Sequence, residues 1–333
     1  MQVAATTTAP ESRLVPGARI ANRYRIRRLV ANGAASEVYE AEDEREPNRV
    51  ALKLVRRPLD ETDRALQAFE VEAAAYARID SPHVPKLYRI GTLRDGSRFM
   101  VLELLHGRPL AERLARGPLS LPAVLDLGYQ MLSALHAVHS ADVVHCDVKP
   151  QNLLVGGEAP ALCVRLVDFG ISVVSHKGQR RPTEPAHVVV GTPEYMSPEQ
   201  ARGEAVDLRT DLYSAGAVLY EALTGRLPFS ADSDRELMIA KLRDPVVPPR
   251  ALRESCPIEL ERLLMRALCR NRGYRFAAAR RLLDELEWIR DRYGLRDART
   301  RPLSVYPEAT RSTPQAVTRP ATSVGQQERP KPS

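Results

Sequence analysis

The hydrophobic period of the chain changes once, near His106-Gly107, and that change restricts the possible folds more than any other feature. Upstream, apolar and polar residues alternate in short runs. Tyr24 to Val30, Ser36 to Ala41, Arg49 to Val55, Lys86 to Leu93 and Arg98 to Leu104 read as strands, with Asp95-Gly96 as a turn before the last. One Ala-rich stretch with helical spacing, Asp63 to Ile79, interrupts them. Downstream the period is mainly helical: Leu121 to His139, Thr210 to Leu223, Ile258 to Cys269 and Ala277 to Arg290. Strands followed by helices predict an α+β fold, with a small sheet-rich lobe carrying one long helix and a larger helical lobe.

The ends have a different texture. Residues 297–333 hold six prolines, nine Ser or Thr and few large apolar side chains, and Met1 to Pro16 shows little periodicity. Such segments bury too little surface to offset the entropy of ordering, so both ends are expected to be disordered tails. The expected organisation is a tail over 1–20, a folded domain over 21–293 (lobes 21–105 and 106–293) and a second tail over 294–333. With 44% apolar and 27% charged residues, the body has the composition of a globular domain.

The net charge of +7 raises the question of nucleic acid, and its distribution answers it. Residues 297–333 carry +3 and residues 1–19 carry +1, which leaves +3 on the body. The densest basic group, Arg23, Arg25, Arg27 and Arg28, alternates with Tyr24 and Ile26 as a half-exposed strand does. No nucleic-acid partner is expected. No apolar run approaches the ~20 residues of a membrane span, and Met1 to Arg19 has no leader pattern, so no membrane partner is expected either. Cys146, Cys163, Cys256 and Cys269 lack metal-site spacing and read as reduced thiols of a cytoplasmic protein.

Two segments carry chemistry. In Val143 to Leu154 an apolar pair leads into a polar loop with His145, Asp147, Lys149 and Asn152, then into an apolar run. Sixteen residues after Asn152, Leu166-Val167-Asp168-Phe169-Gly170 is another apolar run ending in an acid. Two acids and an amide at strand ends suit Mg²⁺, a hard cation that takes few protein ligands and fills its shell with phosphate oxygens. Either segment alone also fits an ordinary strand exit capped by Asp.

Taken together, and in this order, these segments resemble the protein kinases, with the bacterial members of the eukaryotic-like Ser/Thr family as the nearest pattern. The resemblance runs from about Asn22 to Arg292. It implies a two-lobed kinase fold and transfer of the γ-phosphoryl group of ATP, with Mg²⁺, to Ser or Thr of protein substrates, including autophosphorylation through a transient dimer. Val30 to Val38 stands at the Gly-rich loop, where Gly33 alone is glycine and Ala31 and Ser36 fill the other two positions. A turn of this kind lets backbone N–H groups approach phosphates, because Gly has no Cβ and tolerates positive φ. By resemblance Lys53, in Val50-Ala51-Leu52-Lys53, grips phosphate, and Glu72 pairs with it. Glu70, the alternative, points about 160° away on the helix.

The resemblance also implies that Asp147 orients the attacking hydroxyl and takes its proton, that Lys149 stabilises the transferring group, and that Asn152 and Asp168 hold Mg²⁺. Phe169 would stack with His145, Tyr76 and Leu87. Leu102 matches the residue at the back of the adenine pocket, the main chain of Glu103 and Leu105 would pair with adenine, and Val38, Ala51 and Leu154 would sandwich the ring, with Val30 and Ala31 above. Gly191 to Glu199 resembles the peptide-docking loop, with Thr192 bonded to the catalytic residues, Ser197 where Ala is usual, and Glu199 paired to Arg275. Asp211 would brace the catalytic loop, with Tyr213 where Trp is commoner. A catalytically dead scaffold and a small-molecule kinase of related fold are the competing readings. Retention of Lys53, Glu72, Asp147, Asn152 and Asp168 speaks against the first, and the docking loop against the second.

Cys146, Val173 and Ala68 occupy the three positions where many relatives place cations around a phosphorylated activation loop. The nearest loop hydroxyls are Ser175 and Thr183, with Glu184 and Ala186 where the phosphothreonine would stand and Arg180 and Arg181 as loop cations. The composition of residues 297–333 yields one direct expectation. A chain lacking them should keep kcat on a common substrate within about tenfold of the full chain, and a larger loss would overturn the tail reading.

Overall fold

The computed structural model describes residues 14–33, 36–46, 48–55, 64–157, 162–170, 172–174 and 192–294. Ser175, Thr183, Glu184, Ala186, Arg180, Arg181, Gly191 and the segment 295–333 lie outside the described residues.

The N-terminal elements are β1 (Arg19–Ile20), β2 (Tyr24–Asn32), β3 (Ser36–Asp43), β4 (Asn48–Val55), helix α1 (Arg64–Arg78), β5 (Leu87–Thr92) and β6 (Arg98–Glu103). Their strands form one antiparallel sheet in the order β1-β2-β3-β4-β6-β5. Alternation along β4 divides its residues between two faces. Val50, Leu52 and Leu54 enter an apolar cluster with Tyr24, Ile26, Tyr39, Phe99 and Val101. Ala51, Lys53 and Val55 face the other way, beside Met100 and Leu102 of β6. The pleat alone therefore puts Lys53, Ala51 and Leu102 on one surface. Arg23, just before β2, and the arginines of β2 are each matched by a carboxylate of β3: Arg23 with Asp43, Arg25 and Arg27 with Glu42, and Arg28 with Glu40.

The N-terminal boundary differs from the expected one. Leu14 donates its N–H to the Tyr39 hydroxyl, and Arg19–Ile20 pairs with β2, with Ile20 buried in the sheet cluster. Residues 14–20 therefore belong to the folded domain. A two-residue strand is too short to show a period, so composition assigned it to the tail.

After the hinge come β7 (Arg108–Pro109), α2 (Leu110–Leu114), α3 (Leu121–Ser140), β8 (Val143–Val144), β9 (Leu153–Gly156), β10 (Cys163–Leu166) and β11 (Val173–Val174). These strands make two small antiparallel units, β10-β9-β7 and β11-β8, which frame the catalytic segments. Then follow α4 (Pro198–Ala201), α5 (Leu208–Thr224), α6 (Asp234–Arg243), α7 (Pro249–Leu252), α8 (Ile258–Ala267) and α9 (Ala279–Arg292). Helices α3 and α5 carry long buried faces at the centre of the large core, which runs without interruption from α8 and α9 to Phe69 and Tyr76 of α1. The stop of α5 is legible chemistry: Gly225 takes φ +73° and returns its N–H to the Glu221 carbonyl.

Glu199 of α4 and Arg275 form a buried bidentate pair at 2.6 and 2.8 Å, as the resemblance implied. Burial pushes the Glu199 carboxyl up, but the Arg275 guanidinium outweighs it and holds the group below the usual carboxylate range. A lowered folded-state pKa contributes stability above the unfolded value, lost as pH falls through the folded one. Arg275→Ala should therefore cost about 3–5 kcal/mol in urea unfolding at neutral pH, because it strands a buried charge. The cost should shrink as pH falls through the Glu199 pKa. A loss under about 1 kcal/mol at pH 7 would contradict the pairing.

Candidate active site

The site lies where the cleft face of β4 meets the loops after β8 and β10. The Lys53 ammonium lies 2.7 Å from both carboxylate oxygens of Glu72 and 3.4 Å from Asp168 Oδ1. Burial alone would lower the Lys53 pKa, but the Glu72 and Asp168 carboxylates outweigh it and hold the ammonium protonated. The helical phase of α1 decides the partner. Glu72 is buried toward the sheet, while Glu70 turns away to meet Arg98 at 2.7 Å.

Below the cleft, Asp147 accepts from Asn152 Nδ2 at 3.0 Å and from Lys149 at 2.7 Å. The same Asn152 amide donates to the Asp147 carbonyl at 2.9 Å, so its Oδ1 is turned away from these bonds. Lys149 also donates to Thr192 Oγ1 at 2.8 Å and thereby joins the catalytic loop to the docking loop. Burial pushes the Asp168 carboxyl up, and the Lys53 charge more than offsets it, so this half-exposed side chain is held ionised. An ionised carboxylate and an amide oxygen are hard donors, a set that fits Mg²⁺ completed by phosphate oxygens and water.

Two residues here have backbones that L side chains seldom adopt: Cys146 at φ +65° and Asp168 at φ +67°. Such conformations cost on the order of 1–3 kcal/mol each and persist only when their surroundings hold them. The holders are visible. Asp211, fully buried on α5, accepts the N–H groups of His145 and Cys146, both at 2.8 Å, and meets His139 Nε2 at 2.8 Å. The Asp168 N–H donates to the Tyr76 hydroxyl at 3.1 Å. Phe169 packs edge-on against Tyr76 and tilted against His145, at centroid distances of 4.8 and 4.7 Å. His145 accepts the Asp147 N–H at Nδ1 and faces the Val167 carbonyl with Nε2, which assigns the neutral Nε2–H tautomer. Leu87 packs against the same core.

Of the adenine-pocket candidates, Val38, Ala51 and Leu102 share the surface set by the pleat. Val38 lies opposite Lys53, and Ala51 opposite Leu102, in adjacent strand pairs. Leu154 is half-buried on β9 between the buried Leu153 and Val155, and Leu105 is half-buried in the hinge. Glu103 spends its N–H on the Lys86 carbonyl, and its side chain meets Arg165 of β10 at 3.2 Å. Val30, Ala31 and Gly33 are exposed above the cleft, where Gly33 donates its N–H to the Ser36 carbonyl at 2.9 Å. Gly33 does not take positive φ, and its value is close approach, since a Cβ would stand 3.3 Å from the Ser36 carbonyl oxygen.

Sequence reasoning missed Gln200. Ser197 caps α4, and Gln200 closes the capping box by accepting the Ser197 N–H. The Gln200 amide then donates to the Cys146 carbonyl at 2.8 Å, tying the end of the docking loop to the strained catalytic loop. The signal was present as Ser197-Pro198-Glu199-Gln200, and it also explains why serine stands where alanine is usual. The positions expected to surround a loop phosphate carry no cation: Cys146 is buried, Ala68 is partly buried on α1, and Val173 pairs with Val144.

Comparison with known proteins agrees with this geometry. Residues 24–286 match the protein kinase domain, and the chain belongs to that family. It is 34% identical over 329 residues to the serine/threonine-protein kinase pkn3 of Myxococcus xanthus, covering 95% of this chain and 60% of that protein. A probable serine/threonine-protein kinase of Clostridium acetobutylicum is 33% identical over 279 residues, which is 83% of this chain and 41% of the relative. PknA of Mycobacterium tuberculosis is 32% identical over 279 residues, 82% of this chain and 63% of that protein. The chain thus spans about two fifths to three fifths of the length of these relatives. No helix among the described residues is long and apolar enough to cross a membrane.

Proposed function

We propose that the chain is a serine/threonine protein kinase that transfers the γ-phosphoryl group of ATP to protein hydroxyls, its own included. The observation that carries this reading is the convergence of three groups. Lys53 is held by Glu72, Asp168 is held ionised at the cleft, and Asp147 is bonded to both Lys149 and Asn152. The acceptor oxygen attacks the γ-phosphorus, its proton passes to Asp147, and the bond to the β-phosphate oxygen breaks, leaving ADP. Lys53 neutralises charge on the α- and β-phosphates, and Lys149 faces the transferring group. Asn152 and Asp168 would hold Mg²⁺, which when bound neutralises phosphate charge and orients the leaving group. Serine or threonine is favoured as acceptor by the Lys149–Thr192 bond, which brings the docking loop close over Asp147. Four free thiols, three of them buried, and ATP as donor suit a cytoplasmic site of action. Autophosphorylation between chains would use a transient dimer.

Lys53→Met, Asp147→Asn and Asp168→Ala should each lower kcat/KM for Mg-ATP-dependent transfer by about 10²-fold or more, measured with radiolabelled ATP on casein. Retained transfer in Asp168→Ala would sink the assignment.

We also propose that transfer does not depend on a loop phosphate. Charge-assisted bonds to such a phosphate contribute about 1.5–3 kcal/mol each where cations receive it. At the three expected positions this chain has Cys146, whose thiol is pushed up by burial, Ala68 and Val173. A Ser175→Ala/Thr183→Ala variant treated with phosphatase should phosphorylate an external substrate within about tenfold of phosphorylated wild type. A drop of about a hundredfold would refute the proposal.

A further inference from the structure

Helix α6 inverts the usual rule for a surface helix. Ile239 is 43% exposed, while Lys241, two residues on, is 1% exposed. Full burial of a lysine is rare unless something receives its charge. Here no carboxylate does so directly. The ammonium donates to the backbone carbonyls of Glu194 at 2.7 Å and Met196 at 2.9 Å. It also stands 5.6 Å from the ring centre of Tyr213 on α5 and 6.0 Å from that of Phe229, within cation–π reach. Burial pushes its pKa down to about 7 against the opposing pull of Glu194, and with or without the extra proton the nitrogen keeps an N–H donor for each of the two carbonyls.

The two carbonyls belong to the loop that Lys149 reaches through Thr192. Between them, the Tyr195 carbonyl accepts from Ser214 Oγ of α5 at 2.8 Å, and the Tyr195 hydroxyl donates to Glu221 at 2.6 Å. The Thr192 carbonyl closes the turn by accepting from Tyr195 and Met196. The acceptors of residues 194, 195 and 196 are therefore all taken from below, two of them by the one Lys241 nitrogen. The C-terminal end of α6 is fixed in turn, since Arg270 donates to the carbonyls of Lys241 and Asp244.

We propose that Lys241 is a positioning residue for the peptide-docking loop, suspending the main chain of Glu194 and Met196 from α6 and so setting how an acceptor polypeptide is held over Asp147. This rests on the kinase reading above. Lys241 acts through the loop and touches neither nucleotide nor acceptor. The consequence is a split: loss of the ammonium loosens polypeptide binding and leaves the nucleotide side, built on β4, α1 and the hinge, as it was.

The test compares wild type with Lys241→Met, which keeps volume without the donors, and Lys241→Gln, which keeps an amide donor at shorter reach. With dephosphorylated casein as acceptor, KM for casein should rise by about tenfold or more in Lys241→Met while KM for ATP moves by less than about twofold. Lys241→Gln should fall between, and it supplies the reading if the methionine variant does not purify folded. An unchanged KM for casein, or a parallel rise in both constants, would overturn the proposal. Hydrogen exchange of residues 192–200 provides an activity-independent arm. It should quicken in the variant while exchange in α1 stays constant, and an unchanged rate at 192–200 would count against Lys241 even if the wild type proved unable to phosphorylate casein. Failure of wild-type transfer alone would instead reject the kinase reading.

Discussion

The carboxylate of Asp211 is the fixed point beneath the catalytic loop. It is completely buried, sits in the first turn of α5 where the helix dipole favours an anion, and accepts two successive backbone N–H groups from His145 and Cys146. Those bonds hold Cys146 in a left-handed conformation, and that conformation turns the chain so that Asp147 faces the cleft. Without a buried acceptor at this place, the strained backbone would have an easier arrangement. The energy that keeps the loop in place comes from the helical core, where α5 packs along α3 and α8, rather than from the loop itself.

A second constraint acts from the opposite side of the cleft. Lys53 lies between Glu72 and Asp168, which belong to α1 and to the loop after β10. Its charge therefore joins the sheet, the helix and the metal-binding candidate. Tyr76, one turn after Glu72, completes the connection by accepting the Asp168 N–H and packing on Phe169. A rotation of α1 would break the ion pair, the hydrogen bond and the ring contact together. Coupling of this kind makes the position of one helix decide whether Asp168 points into the cleft.

How much of this was legible depends on the length of the pattern that carried it. The change of period at His106-Gly107 located both lobes, and the order of motifs located Lys53, Glu72, Asp147, Asn152, Asp168 and the Glu199–Arg275 pair. Features resting on two or three residues were not legible. Strands β1, β7, β8 and β11 are each two residues long, too short for any alternation to register. Residues 14–20 were assigned to a tail because the Leu14–Tyr39 bond spans 25 positions. Which of glycine's freedoms Gly33 uses was not legible either: it is close approach, since a Cβ there would crowd the Ser36 carbonyl. Helix α6 escaped notice for a related reason: its buried face includes a lysine, so the apolar spacing that marks a helix is broken where the helix meets the docking loop.

That last break belongs to a wider division in the large lobe. The faces of α3, α5, α8 and α9 that meet one another are mainly apolar, with the buried Asp126–Arg290 pair between α3 and α9 as a charged exception, and they chiefly supply stability. On the side toward the docking loop, the buried groups are instead Glu199, Asp211, Ser214, Lys241 and Arg275, each bonded to main chain or to an opposite charge. Replacing buried ion pairs by apolar groups is often neutral or stabilising, so their presence calls for a reason other than stability. Apolar contacts are non-directional and would let a surface loop slide. Hydrogen bonds to named carbonyls and amides do not, because each fixes one atom of the main chain. The polar interior lies directly beneath the loops whose positions, to within a bond length, decide whether a hydroxyl can reach a phosphate.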